Sequence, residues 1–333
     1  MPVTARDVAR VAGVSVSTVS RALTKPDKVE PGTRTLVLET ARGMGYRPNR
    51  AAGGRITGRT GNIGLIVPDL ENPVFASVTK GVQSRARTAG YAVFIADSDE
   101  DPSQEAELVR DLSRQVDGLV LCSPRAPESV LLELALECTL VLLNRRCGDI
   151  PSVAIDNLES VRQAMVYLRA LGHRRIAYAG GPSTSWSNKE RLDAFFSVGG
   201  EHADTELIDL GSFLPYVSGG IAAADLVIAS GATAVLACND LVAFGLLDRL
   251  RQRGVGVPDD ISVVGVDNIP MAALTTPSLT SVGIPLVDCG RAGVDMLLSL
   301  VRDPSAAPVH HYDLSFRLEV RQSTGPVRLS LGE

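Results

Sequence analysis

The side chains with most chemical potential in this chain sit just beyond runs of apolar residues. Asp69, Asn72 and Phe75 follow GLIV, Asn144, Arg145 and Arg146 follow LVLL, and Arg191 lies shortly after AYAGG. Asn239 and Asp240 follow AVLAC, and Asp267 and Asn268 follow SVVGV. Ligands of open α/β sheets lie beyond the carboxyl ends of the strands, where these residues would fall. Asn, Asp and Arg supply the fixed donors and acceptors that several hydroxyl groups demand, and a ring such as Phe75 or Trp186 can cover the apolar face of a sugar. Each Asp or Asn taken singly could equally cap the following helix. Their convergence after several strands favours a polar small-molecule cleft.

Covalent and redox chemistry find little support. The YAGGPSTS stretch (residues 178–185) follows an apolar run as a cofactor loop would, but fits neither GxGxxG nor GxxxxGK[ST]. His173, His202, His310 and His311 stand beside no recognisable nucleophile motif. The five cysteines, Cys122, Cys138, Cys147, Cys238 and Cys289, lack metal or disulfide spacing and read as small buried hydrophobes. No enzymatic activity, cofactor or metal is expected.

A second chemistry is concentrated in residues 4–24, TARDVARVAGVSVSTVSRALT. Thr4 with Asp7 three residues on reads as a helix start, Val8, Val11 and Ala12 as an inward stripe, and Gly13 as a left-handed stop. Ser15 would cap a second helix with Val19, Ala22 and Leu23 inward and Val16, Ser17, Ser20 and Arg21 outward. Hydroxyls that bond phosphates and an Arg that can read guanine suit a groove of DNA. A third helix is expected from about Pro31 to Met44, with Glu30 as cap and Gly45 closing it. Amphipathic patterning alone would also fit a three-helix unit without a ligand. Charge separates the two: residues 1–60 hold 11 Lys or Arg against 4 Asp or Glu, the remainder 22 against 34, within a chain of net charge −5. A basic head on an acidic body implies that the head meets a polyanion.

The 333 residues exceed one typical core. Residues 46–62, YRPNRAAGGRITGRTGN, are basic and Gly-rich without an apolar stripe, hence a linker. Beyond it, short Val/Ile/Leu runs alternate with helical patterns near 74–88, 103–114, 158–171 and 241–252. This rhythm predicts an α/β fold of parallel sheets covered on both faces, with about ten strands between 62 and 284 shared by two lobes. No apolar run reaches membrane-spanning length and the N-terminus lacks a signal-peptide pattern, so a cytoplasmic location is expected.

The head, the linker opening on YRPN, and GLIVPDLENPVF, ADSDEDP, DGLVL, ALGHRRIAYAGGP, ACNDLVAFGLL, VPDDISVVGVDNIP and RQSTGP resemble the LacI/GalR family of bacterial transcription regulators, in order and over almost the whole chain. The resemblance implies a homodimer with a helix-turn-helix head (residues 1–47), a hinge (48–60) and a two-lobed effector and dimerisation domain (61–333) similar to periplasmic sugar-binding proteins. It implies that the segment near 286–302 returns to the first lobe. It makes Val16, Ser17 and Arg21 base readers, and Thr4, Ser15, Thr18, Ser20, Thr24 and Asn49 backbone contacts, with Tyr46 packing the head. In the sensor it matches Asn72, Phe75, Asn144, Arg145, Arg191, Asn239 and Asp267 to effector-lining positions.

The chain departs from the family at Val74, where an aromatic is common, at Asn144, where Asp is common before Arg145, and at Gly283, where a polar residue is common. A roomier cleft or a different effector is expected. In the hinge the family's minor-groove Leu is replaced by Arg55, followed by Ile56, after Gly53 and Gly54. Each Gly disfavours helix by roughly 1 kcal/mol relative to Ala, so the hinge should order less readily. Ile56 could wedge after a one-residue shift, Arg55 could enter by charge, or the segment could be a tether. The expected function is a DNA-binding transcription regulator, a repressor, whose affinity for a pseudo-palindromic operator is set by a small polar effector, a sugar or sugar derivative. A periplasmic sugar carrier would suit residues 61–333 but not the head.

Overall fold

A computed structural model describes residues 3–24, 26–46, 59–303, 311–314 and 316–328. The chain divides between Thr60 and Gly61 into two units. The first holds α1 (Ala5–Ala12), α2 (Val16–Thr24), a 3₁₀ turn at Pro26–Lys28, and α3 (Pro31–Gly43). Thr4 and Asp7 form a reciprocal capping box, and Gly13 stops α1 at φ 66°. Glu30 caps α3 through the amides of Gly32 (2.9 Å) and Thr33 (2.7 Å). Val8, Ala9, Ala12, Val19, Ala22, Val37 and Ala41 form the core, with Leu23 and Tyr46 packed against it. Val11 is not part of this core: it is 59% exposed, and Ala9 takes the expected place. At about 100° per residue, Ala5, Val8, Ala9 and Ala12 share one face, while Val11 lies on its flank.

The second unit contains two six-stranded sheets. The first lobe orders its strands β11-β5-β4-β3-β1-β2, with β1 (Asn62–Val67), β2 (Ala92–Asp97), β3 (Leu119–Cys122), β4 (Leu140–Leu143), β5 (Ser152–Ile155) and β11 (His311–Leu314), all parallel. Alternate strand residues feed opposite faces, as the two-residue period of a strand requires. Leu65, Val120 and Cys122 pack under α4 (Pro73–Thr88) and α11 (Leu286–Arg302), whereas Ile66, Leu119 and Leu121 pack under α5 (Pro102–Ser113) and α6 (Glu128–Glu137). α4 and α11 cross closely because both are small at the contact: Gly290 lies against the Val78 carbonyl and Gly81 against the Val287 carbonyl.

The second lobe orders β12-β10-β9-β8-β6-β7. Its strands are β6 (Arg175–Gly180), β7 (Glu206–Ser212), β8 (Ala234–Ala237), β9 (Ser262–Asp267), β10 (Thr280–Gly283) and β12 (Arg317–Glu319), the last antiparallel to β10. α7 (Asn157–Ala170), α8 (Trp186–Gly200), α9 (Val217–Ser230) and α10 (Asp240–Gln252) cover it around one continuous core. The chain therefore passes between lobes three times: after β5, after β10 and between β11 and β12. As expected, residues 286–302 return to the first lobe. Ten strands lie between residues 62 and 283, and β11 and β12 complete the sheets.

Buried His173 ties the second lobe's ends together. Its ring nitrogens lie 2.9 Å from the Thr233 hydroxyl, and 3.0 and 3.1 Å from the Ser262 hydroxyl and Gly325 carbonyl. The carbonyl can only accept, so Nε2 carries the proton. Burial holds the imidazole below its ordinary pKa and hence neutral.

Candidate functional site

Two surfaces carry the residues singled out by sequence. On α2, Val16, Ser17, Ser20 and Arg21 are exposed while Val19 and Ala22 are buried. Ser15 caps the helix by accepting the Thr18 amide at 3.0 Å, and its hydroxyl lies 2.7 and 2.8 Å from those of Ser17 and Thr18. Three hydroxyls thus cluster at a helix N-terminus, where the partial positive charge favours an anion such as phosphate. Thr4 is exposed at the start of α1, engaged with Asp7. The Thr24 side chain, Asn49, Arg55, Ile56 and the glycines of the hinge lie outside the described residues.

The second surface is a cleft of about 60 Å³ between the lobes. It brings together Asn72, Phe75 and Asn144 from the first lobe and Arg191, Asn239 and Asp267 from the second. Asn72, Asn144 and Asn239 follow carboxyl ends of strands and Asp267 ends β9, as the sheet rule demands, while Phe75 and Arg191 project from α4 and α8. Asn72 and Asn239 do both jobs considered for them: each caps a helix, through the amides of Val74 (3.1 Å) and Val242 (2.8 Å), and each still lines the cleft. Asn144, in the left-handed region at φ 55°, donates to the Ser123 hydroxyl (3.0 Å) and keeps a buried Oδ1 without a protein partner.

Arg191 is fixed by two bonds, Nε to Asn157 Oδ1 (3.0 Å) and Nη1 to the Cys238 carbonyl (2.8 Å). Its Nη2 makes no hydrogen bond to the described residues. Asp267, only 8% exposed and at φ 108°, shows no hydrogen bond from its carboxyl group to the described residues. Burial pushes its pKa up to about 8; Arg191 pulls it down and Asp240 pushes it further up. Asp240 itself faces away, accepting from the Ile269 amide (2.8 Å) and the Ser281 hydroxyl (2.6 Å), so its part is structural.

Three expectations need correction. Arg145 does not line the cleft: its Nη1 donates to the Pro124 carbonyl at 2.9 Å, and the guanidinium is buried behind the wall. Trp186 is also absent from the lining. Gly283 opens no space, because Asn268 packs beside it, with Nδ2 3.2 Å from where a Cβ would stand. The sequence reading missed Ser123 and Arg125, although both directly follow β3 and obey the same strand-end rule. It also missed Glu100 and the α8 start, Ser185, Ser187 and Asn188. Ser185 as a helix cap was the available signal for that turn.

Among the described residues no helix is long and apolar enough to cross a membrane, and no group of three or more His, Cys, Asp or Glu could hold a metal. All five cysteines are free, and all but Cys138 are buried.

Residues 4–49 match the family model for bacterial regulatory proteins of the lacI family, and residues 165–324 that for a periplasmic binding protein-like domain. Catabolite control protein A of Priestia megaterium is 32% identical, across 97% of this chain and all of that protein. The ribose operon repressor of Halalkalibacterium halodurans is 30% identical, across 96% and 97%. The structure of a lac repressor dimer bound to operator and the anti-inducer ONPF superposes with a TM-score of 0.87 at 26% identity, covering 98% of this chain and 100% of that one. These relatives are regulators, not enzymes. With its helix-turn-helix head, its two-lobed sensor and this full-length similarity, the chain belongs to the lacI family of bacterial transcription regulators.

Proposed function

We propose that a cytoplasmic homodimer of this chain represses transcription from a pseudo-palindromic operator, and that a sugar or sugar derivative bound between its lobes sets operator affinity. Residues 1–47 act as the head, 48–60 as the hinge and 61–333 as the sensor. Val16, Ser17 and Arg21 read bases. Thr4, Ser15, Thr18, Ser20, Thr24 and Asn49 hold the backbone, and Arg55 or Ile56 enters the minor groove. The relative named a ribose operon repressor supports a sugar effector.

The observation that carries this reading is the cleft, whose polar groups come from both lobes. Its 60 Å³ falls well below the roughly 300 Å³ lower end of small-molecule pockets. A sugar must therefore part the lobes to enter. A ligand that binds one lobe spacing better than another shifts the balance between them, and with it any operator affinity that depends on that spacing.

The head is tested through Arg21. Arg21→Ala should weaken binding to the selected palindrome by about 1–3 kcal/mol and leave binding to random duplex much less affected. Gel-shift titrations at one salt concentration measure both. Equal losses on the two duplexes would assign Arg21 to phosphate rather than base contact.

A further inference from the structure

One of the two cations on the cleft wall is already matched. Arg125 places Nε 2.6 Å and Nη2 2.9 Å from the two oxygens of Glu100, and donates Nη1 to the Ser123 carbonyl at 2.7 Å. The pair is largely enclosed, with side chains 7% and 18% exposed. Its backbone is equally fixed: buried Glu105 accepts the amides of Arg125 (2.7 Å) and Ala126 (3.2 Å). Glu100 itself is held in the left-handed region at φ 57°, after Asp99 at φ 52°, by the hydrogen bond that its amide donates to the Pro68 carbonyl at 2.7 Å. Two consecutive non-glycine residues in that region persist only where surrounding contacts over-determine them. Arg191, the other cation, has one free edge and stands near Asp267.

Helix N-termini, the fold's other anion-binding device, are partly occupied as well. α4 begins with Pro73, which has no N–H, and the amides of Val74 and Phe75 are taken by the Asn72 side chain (3.1 Å) and carbonyl (3.0 Å). Ser185 and Asn239 cap α8 and α10. The lining contains no lysine or histidine.

We propose that the cleft selects an uncharged polyhydroxylated ligand and rejects phosphate esters, and that Glu100 sets this selectivity by occupying Arg125. The proposal rests on the reading of this cleft as the effector site. A phosphate approaching Arg125 must displace a bidentate carboxylate whose short, charge-assisted bonds are among the strongest a protein makes. A neutral sugar meets no such barrier, since its hydroxyls can donate to Asp267 and Asn144 Oδ1 and accept from Arg191.

The test titrates the full chain by calorimetry with inorganic phosphate, ribose 5-phosphate and glucose 6-phosphate. The parent should bind none of them measurably at millimolar concentration. Glu100→Gln should bind phosphate at least about tenfold more tightly than the parent, and adding Arg125→Gln should remove that gain. Parent binding of either sugar phosphate would overturn the proposal, as would a folded Glu100→Gln without any gain. Should Glu100→Gln not fold, Glu100→Ala takes its place and should show the same gain. Operator binding by the parent is measured separately: its failure would sink the regulator reading and leave the phosphate result standing.

Discussion

Asp267→Asn should stabilise the ligand-free chain at alkaline pH and abolish its response to effector. The carboxyl group has a pKa of about 8 in the folded protein against an ordinary 3.8. Between those values the folded state holds a proton that the unfolded state has lost. Asp267's contribution to stability is therefore greatest below pH 3.8 and declines as pH rises to about 8. Above pH 8 the parent carries a buried carboxylate without a protein hydrogen bond, and removing it should recover about 1–3 kcal/mol. The gap should shrink steadily toward acid pH and close below about pH 3.8. Effector binding should show the opposite trend: hydroxyls donating to the ionised carboxylate release its proton, so affinity rises by up to about tenfold per pH unit and levels off above pH 8. Melting curves from pH 5 to 9, with calorimetry of the bound sugar, measure both trends. A variant less stable than the parent at pH 9, or with unchanged sugar affinity, would make Asp267 a structural residue.

Gly290→Val should cost about 3 kcal/mol or more and unfold the first lobe before the second. A side chain there would enter the Val78 carbonyl on α4, and backbone cannot move aside as a flexible side chain can. Lobe spacing would suffer with it, because α11 is the element that re-enters the first lobe between two of the chain's crossings. Gly200→Ala is the control, since a Cβ at Gly200 meets nothing within 4 Å. Urea unfolding followed by circular dichroism distinguishes them, and a Gly290→Val variant within about 1 kcal/mol of the parent would show that α4 and α11 can separate freely.

What sequence made legible was local. Thr4, Gly13, Ser15 and Glu30 are caps whose chemistry requires only near neighbours, so the head's three helices followed from them. The strand ends were equally readable, because nearly continuous Val, Ile and Leu runs stop at Asn, Asp or Arg. Side-chain direction was less so: Val11 turned out of the head core, and Arg145 turned behind the cleft wall, because each depends on which face another element covers. α6, α8, α9 and α11 have no range in the sequence pattern, and for α6 and α9 the reason is plain. ESVLLELALE and VSGGIAAADLVIAS are apolar around most of their circumference, which weakens the 3.6-residue signal. The Arg125–Glu100 pair joins residues 25 apart from the ends of two different strands, a juxtaposition that only the parallel sheet creates.

The central claim is that a ligand in the cleft changes operator affinity, and one titration tests it most directly. A labelled palindromic duplex, selected by the full chain from a random pool, is titrated with the protein in the presence and absence of an uncharged sugar chosen because it raises the protein's melting temperature. Operator affinity should change by about 5- to 150-fold in the parent, the usual range of allosteric coupling, and should not change in Asp267→Asn. A sugar that stabilises the parent yet leaves its operator affinity unchanged would contradict the account.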